Sequence, residues 1–151
     1  MNKPELPLLE ALRFKRIYTA RRERLFDAWT DPQRFKKWFG QPSFQVVDAR
    51  IDLRVGGAYR FEIRMPDGGS SIVSGQYRTV ENPSKLEFTW NTVGKKSNVH
   101  DTLVTVEFID RKDSTELVLT HGGFTDAQTR NAHQEGWTLC LDALEQFSGK
   151  G

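Results

Sequence analysis

The chain has 151 residues, enough for one domain with a sizeable core. Hydrophobic residues make up 37% and the net charge is only +2, so no global field steers the molecule to nucleic acid or a membrane surface. The single cysteine, Cys140, excludes an intramolecular disulfide and a cysteine-rich zinc site; no apolar run approaches the roughly 20 residues of a membrane span, and a cytoplasmic protein is expected.

Residues 1–11 are expected to form a flexible arm, since Met1 to Pro7 holds two prolines. No repeat or linker divides residues 12–148, which read as one domain. From Leu12 to Tyr18 apolar residues alternate, with Leu12, Phe14 and Tyr18 on one face of a strand. Arg22 to Thr30 changes to helical spacing through Leu25, Phe26 and Trp29. Asp31-Pro32 starts a second short helix with an apolar face of Phe35, Trp38 and Phe39, and Gly40 stops it.

Six further strands are predicted. Val47 to Leu53 places Val47, Ala49, Ile51 and Leu53 on one side. Tyr59, Phe61, Ile63 and Met65 alternate against Arg60, Glu62 and Arg64, and Pro66-Asp67-Gly68-Gly69 makes a hairpin turn. Val73, Gly75, Tyr77 and Thr79 continue the inner face, followed by Leu86, Phe88 and Trp90. After a polar loop, Asn91 to Asn98, come Val104, Val106 and Phe108, then Leu117, Leu119 and His121.

Gly122-Gly123 ends the sheet, and Thr125 or Asp126 caps a helix to about Phe147, roughly 33 Å long at 1.5 Å per residue. Its apolar stripe is Ala132, His133, Gly136, Trp137, Cys140, Leu144 and Phe147. Gly136 costs about 1 kcal/mol relative to alanine in mid-helix, which predicts a close approach of helix to sheet there. The order is α+β: strand, two short helices, six meandering strands, long helix. A curved antiparallel sheet with one apolar face needs that last helix to cover it.

Several strings carry a resemblance. They are Ala20 to Pro32 (Ala-Arg-Arg-Glu-Arg-Leu-Phe-Asp-Ala-Trp-Thr-Asp-Pro) with Trp38-Phe39, and Asp52 to Gly57 (Asp-Leu-Arg-Val-Gly-Gly). The others are Thr89-Trp90, Leu119 to Phe124 (Leu-Thr-His-Gly-Gly-Phe), and His133 to Trp137 with Leu141 and Leu144. Together, from about Leu12 to Phe147, they resemble the activator of heat shock protein 90 ATPase homologue-like family. That family lies in the SRPBCC superfamily, also described as START-like or birch-pollen-allergen-like. The resemblance implies a helix-grip fold of about seven strands wrapped around the long helix, with a hydrophobic cavity used by relatives for apolar molecules. In the eukaryotic activators a separate N-terminal domain engages the chaperone; this chain leaves no room for one, and chaperone activation is not expected.

The inward aromatic residues are the candidate pocket lining: Trp29, Trp38, Tyr59, Phe61, Tyr77, Phe88, Trp90, Phe124 and Trp137. The same rings also serve to fill a core. His121 and His133 fall on inward faces, where they either orient a polar ligand group and move a proton, or are satisfied structurally. Arg16 alternates with Phe14 and Tyr18, so it needs a partner or a snorkelling stem.

The basic run Arg13, Lys15, Arg16, Arg21, Arg22 and Arg24 reads as a solvated edge rather than a phosphate patch. His133-Gln134-Glu135 lacks the downstream cysteine pair of zinc deaminases, and Asp52, Glu62, Glu87 and Glu107 fall on the outer face. No metal or cofactor is expected, and no catalytic residue is assigned. The expected function is binding of a small hydrophobic or aromatic ligand (lipid, polyketide or flavonoid-like) between sheet and helix. The alternatives are an enzyme acting on such a ligand, a cyclase, dehydratase or hydrolase, and a protein-interaction or stress-response module. No nucleic acid partner or membrane insertion is expected; a homodimer is left open.

Overall fold

A computed structural model describes residues 8–94 and 98–148. Seven strands form one antiparallel sheet in the order β1-β7-β6-β5-β4-β3-β2. They are β1 (Leu12–Tyr18), β2 (Gln45–Ile51), β3 (Ala58–Arg64), β4 (Ser70–Glu81), β5 (Lys85–Gly94), β6 (Asn98–Asp110) and β7 (Thr115–Gly122). Helices α1 (Arg22–Thr30) and α2 (Pro32–Trp38) follow β1, and α3 (Ala127–Ser148) ends the described chain. The fold is the expected α+β helix grip.

Local chemistry explains the helix starts. Asp31 caps α2 by accepting from the backbone N–H of Gln33 at 2.9 Å, with Pro32 in the first turn. Asp126, the second of the two predicted caps, accepts from the N–H of Thr129 at 3.1 Å. The three helices are then tied to each other and to the sheet by buried polar groups. Trp38 Nε1 donates to the carbonyl of Ala28 at 2.8 Å, and the Tyr18 hydroxyl donates to that of Leu141 at 2.9 Å. Leu25, Val104, Val106, Leu117, Leu119, Leu141 and Leu144 are fully buried between these layers.

Three strand irregularities bend the sheet and alter the expected faces. A bulge at Val47 lets Val46 point inward instead, after which Ala49 and Ile51 pack on the core; Leu53 lies beyond the strand and is 38% exposed. A bulge at Arg78 turns Thr79 outward, where its hydroxyl meets Glu87, and brings Val80 in. The third lies on β6 beside Asp101, whose φ is 57°. Strand pairing also continues through Gly94 and resumes at Asn98, so most of the expected polar loop is strand; residues 95–97 lie outside the described residues. Gly75 is required by close approach: a Cβ there would sit 1.9 Å from the Thr89 carbonyl oxygen.

Of the predicted arm, residues 1–7 lie outside the described residues. Leu9 N–H donates to Phe124 at 2.9 Å, and Arg130 reaches the carbonyl of Glu10 at 2.6 Å. Arg13 and Lys15 are exposed on edge strand β1, while Arg16 is half-buried and pairs with Asp142 of α3 at 2.6 Å. Because Asp142 is largely solvated, Asp142→Asn is expected to cost about 0.5 kcal/mol in urea unfolding. A loss above about 2 kcal/mol would mean that the pair is a true anchor of α3.

Candidate functional site

Two adjoining hollows lie between sheet and helices. The larger, about 250 Å³, is walled on one side by α3 through Ala132, His133, Gly136, Trp137 and Cys140. Opposite stand Ile63, Met65, Ser71, Val73, Trp90 and Thr92 of the sheet, with Phe39 and Phe44 from the segment after α2. The smaller, about 20 Å³, lies among Trp29, Phe35, Tyr59, Phe61, Tyr77 and Phe88. Phe39 and Trp90 border both.

The predicted aromatic residues therefore divide into groups. Trp90, Trp137 and His133 wall the larger hollow. Trp29, Tyr59, Phe61, Tyr77 and Phe88 pack around the smaller, where Tyr59 lies 5.4 Å from Phe88 and 5.6 Å from Tyr77. Trp38 is buried among Trp29, Phe35 and Phe39 and borders neither hollow. Phe124 and His121 form a layer behind the wall, their rings 4.5 Å apart.

Gly136 corrects an expectation. A Cβ placed there meets nothing within 4 Å, so the glycine marks open space rather than close packing. Apart from Trp90, His133 and Trp137, the residues lining the larger hollow were absent from the predicted lining, Phe44, Ser71, Ala132 and Gly136 among them. Gly136 was the usable signal, because a helix breaker inside an apolar stripe needs a reason.

The two histidines are locked by tryptophans. Trp137 Nε1–H donates to His121 Nδ1 at 3.0 Å, so Nε2 carries that ring's proton and faces the Thr102 hydroxyl at 2.9 Å. Thr102 passes its own proton to the carbonyl of Trp90 at 2.7 Å. Trp90 Nε1–H then donates to His133 Nε2 at 3.3 Å, and His133 Nδ1–H donates to the carbonyl of Thr129 at 2.9 Å. Both imidazoles are neutral and use both nitrogens.

Burial reinforces that state, pushing His121 down to about 2 with help from nearby His133, and lowering His133 against the pull of its Thr129 bond. Burial also pushes the Cys140 thiol up to about 12, despite a backbone hydrogen bond from Gly40. The walls thus present a neutral thiol, neutral imidazole and apolar rings. Among the described residues, no group of three or more His, Cys, Asp or Glu is placed to hold a metal ion. No helix among them is long and apolar enough to cross a membrane.

A seven-stranded antiparallel sheet gripping one long helix, with a hollow between them, defines a helix-grip fold, consistent with the SRPBCC superfamily. The chain belongs to the Activator of Hsp90 ATPase homolog 1-like family, whose pattern matches residues 19–149. Solved structures agree in fold. A Chromobacterium violaceum protein shares 23% identity, with 91% of this chain and 96% of that one covered at a TM-score of 0.81. The AHSA1 protein from Silicibacter pomeroyi shares 25% identity over 91% and 96%, at 0.79. An AHSA1-like protein from Aeromonas hydrophila shares 23% over 91% of each chain, at 0.75. No curated protein matches the chain.

Proposed function

We propose that the protein binds a small, uncharged, mainly apolar molecule in the larger hollow. The observation that carries this is a volume of about 250 Å³ whose lining residues include no Asp, Glu, Lys or Arg, set beside a helix glycine with open space at its Cβ position. An apolar cavity of about 150 Å³ is enough to take up benzene. The larger space suits one or two fused rings better than a long-chain lipid. The lining supports capture over turnover, since both imidazoles have their nitrogens occupied and the thiol is held neutral. A cytoplasmic setting accords with a lone reduced cysteine.

Indane, a neutral two-ring hydrocarbon, is a direct probe. Trp90 and Trp137 wall the hollow, so binding is expected to change tryptophan emission saturably. At 100 times its dissociation constant a ligand adds about 2.7 kcal/mol of stability, or roughly 5–10 °C in Tm for a domain of this size. Unchanged emission and Tm across a set of neutral one- and two-ring compounds, each taken to its solubility limit, would remove the reading.

A further inference from the structure

A groove of about 600 Å³ lies where the three helices meet, and it shares no lining residue with either hollow described above. Helix α1 borders it through Arg24, α2 through Lys37 and Trp38, and the last two turns of α3 through Ala143, Gln146 and Phe147. Ala143 and Phe147 are half-buried and give it an apolar side. No Asp or Glu lines it, so Arg24 and Lys37 are its charged residues.

The two cations differ in what they already do. Lys37 is exposed and stands in the last turn of α2, where a positive charge complements the helix end. Arg24 has no such role. It lies in the first turn of α1, where the helix dipole disfavours a cation, and it is half-buried. Among the described residues its side chain has no ion pair and no hydrogen bond, whereas Arg16 of the same basic run is paired with Asp142. A partly desolvated charge without a partner is costly. Held by no other group, the guanidinium is free to turn onto an anion in the groove it borders.

We propose that this groove is a second binding site, for a small amphipathic anion. A single carboxylate is received by Arg24 and Lys37, and the flat apolar body attached to it lies along Ala143 and Phe147. Guanidinium matches a planar carboxylate with two parallel N–H donors. The volume falls within the roughly 300–1,000 Å³ of small-molecule clefts. Charge separates the two sites, because the larger hollow has no Asp, Glu, Lys or Arg in its lining. The groove therefore selects the class of molecule that the larger hollow excludes, and its assignment is independent of what that hollow binds.

A matched pair of probes tests this: 2-naphthoate and its neutral amide, 2-naphthamide, which share a ring body and differ at the carboxylate. In isotope-labelled wild-type protein at low salt, 2-naphthoate is expected to move the Arg24 Nε–H and Gln146 side-chain amide resonances saturably. It should bind about tenfold tighter than the amide. Raising the salt from about 0.01 M to about 0.1 M should weaken the naphthoate and leave the amide unaffected. Arg24→Gln removes the charge and keeps a polar side chain, so the preference for the carboxylate should fall to near unity. Its Tm should match the wild type, because Arg24 has no partner to lose.

Equal binding of the two compounds by the wild-type protein would overturn the groove as an anion site. So would a preference that survives in Arg24→Gln, or the absence of any saturable shift at Arg24 and Gln146. Naphthoate shifts confined to the Trp137 indole and His133 would place the probe in the larger hollow and likewise overturn it. None of these results touches the reading of the larger hollow, which stands or falls on indane.

Discussion

Gly136→Leu is expected to weaken indane binding at least about a hundredfold, which is about 2.7 kcal/mol, while leaving the fold as stable as before or more so. The two effects come from one fact. A Cβ at this position meets nothing within 4 Å, and the backbone there is ordinary helix. Leucine therefore enters α3 without a clash and sends its side chain into the space a ligand would occupy. Glycine in a helix interior costs about 0.8–1 kcal/mol relative to alanine, and leucine is nearly as good a helix former. Gly136→Ala should accordingly raise Tm by roughly 2–4 °C, because one kcal/mol shifts a domain of this size by about that much.

Calorimetry and fluorescence titration on the same two variants separate the outcomes. Lost stability in Gly136→Ala would restore the close-packing explanation for the glycine. Wild-type affinity in Gly136→Leu would show that the ligand sits elsewhere. A residue that lowers local stability without a packing reason is where function is expected to show. The hollow and the weak helix position coincide.

Much of the fold was legible because alternation and helical spacing report which face of an element is dry. Leu12–Tyr18 and Arg22–Thr30 have the boundaries that periodicity predicts. The bulges were not legible. One extra residue at Val47 or Arg78 reverses the facing of everything beyond it, and composition hardly marks such a point.

The site was harder for a related reason: sequence displays the volume that is present, and a hollow is volume that is missing. Tyr59, Phe61, Tyr77 and Phe88 attract attention as large inward rings, yet they fill space against one another. The larger hollow opens instead where Ser71, Ala132 and Gly136 leave room. His121 and His133 were correctly placed indoors, but pairing each with a tryptophan N–H depends on helix rotation, which spacing does not define.

That pairing makes stability sensitive to acid. His121 is completely buried, and its folded-state value near 2 lies far below the roughly 6.5 of an unfolded chain. Between those values the unfolded chain takes up a proton that the folded protein refuses, so stability falls as pH drops below about 6.5. At pH 4 the loss assigned to His121 is about 3 kcal/mol, and His133, lowered in the same direction, adds to it.

His121→Phe is expected to be less stable at pH 7 by about 2 kcal/mol, because Trp137 Nε1–H then has no acceptor in a dry interior. The variant lacks the His121 imidazole, so its stability should decline less between pH 6.5 and 4, and the two curves should cross at about pH 5, leaving the variant the more stable of the two at pH 4. Urea unfolding at four pH values from 7 to 4 measures this, with the carboxylates contributing alike to both proteins. Parallel curves would mean that His121 is not held neutral by its partners. Trp137 would then be positioned by packing alone, since a charged imidazole offers its N–H no lone pair.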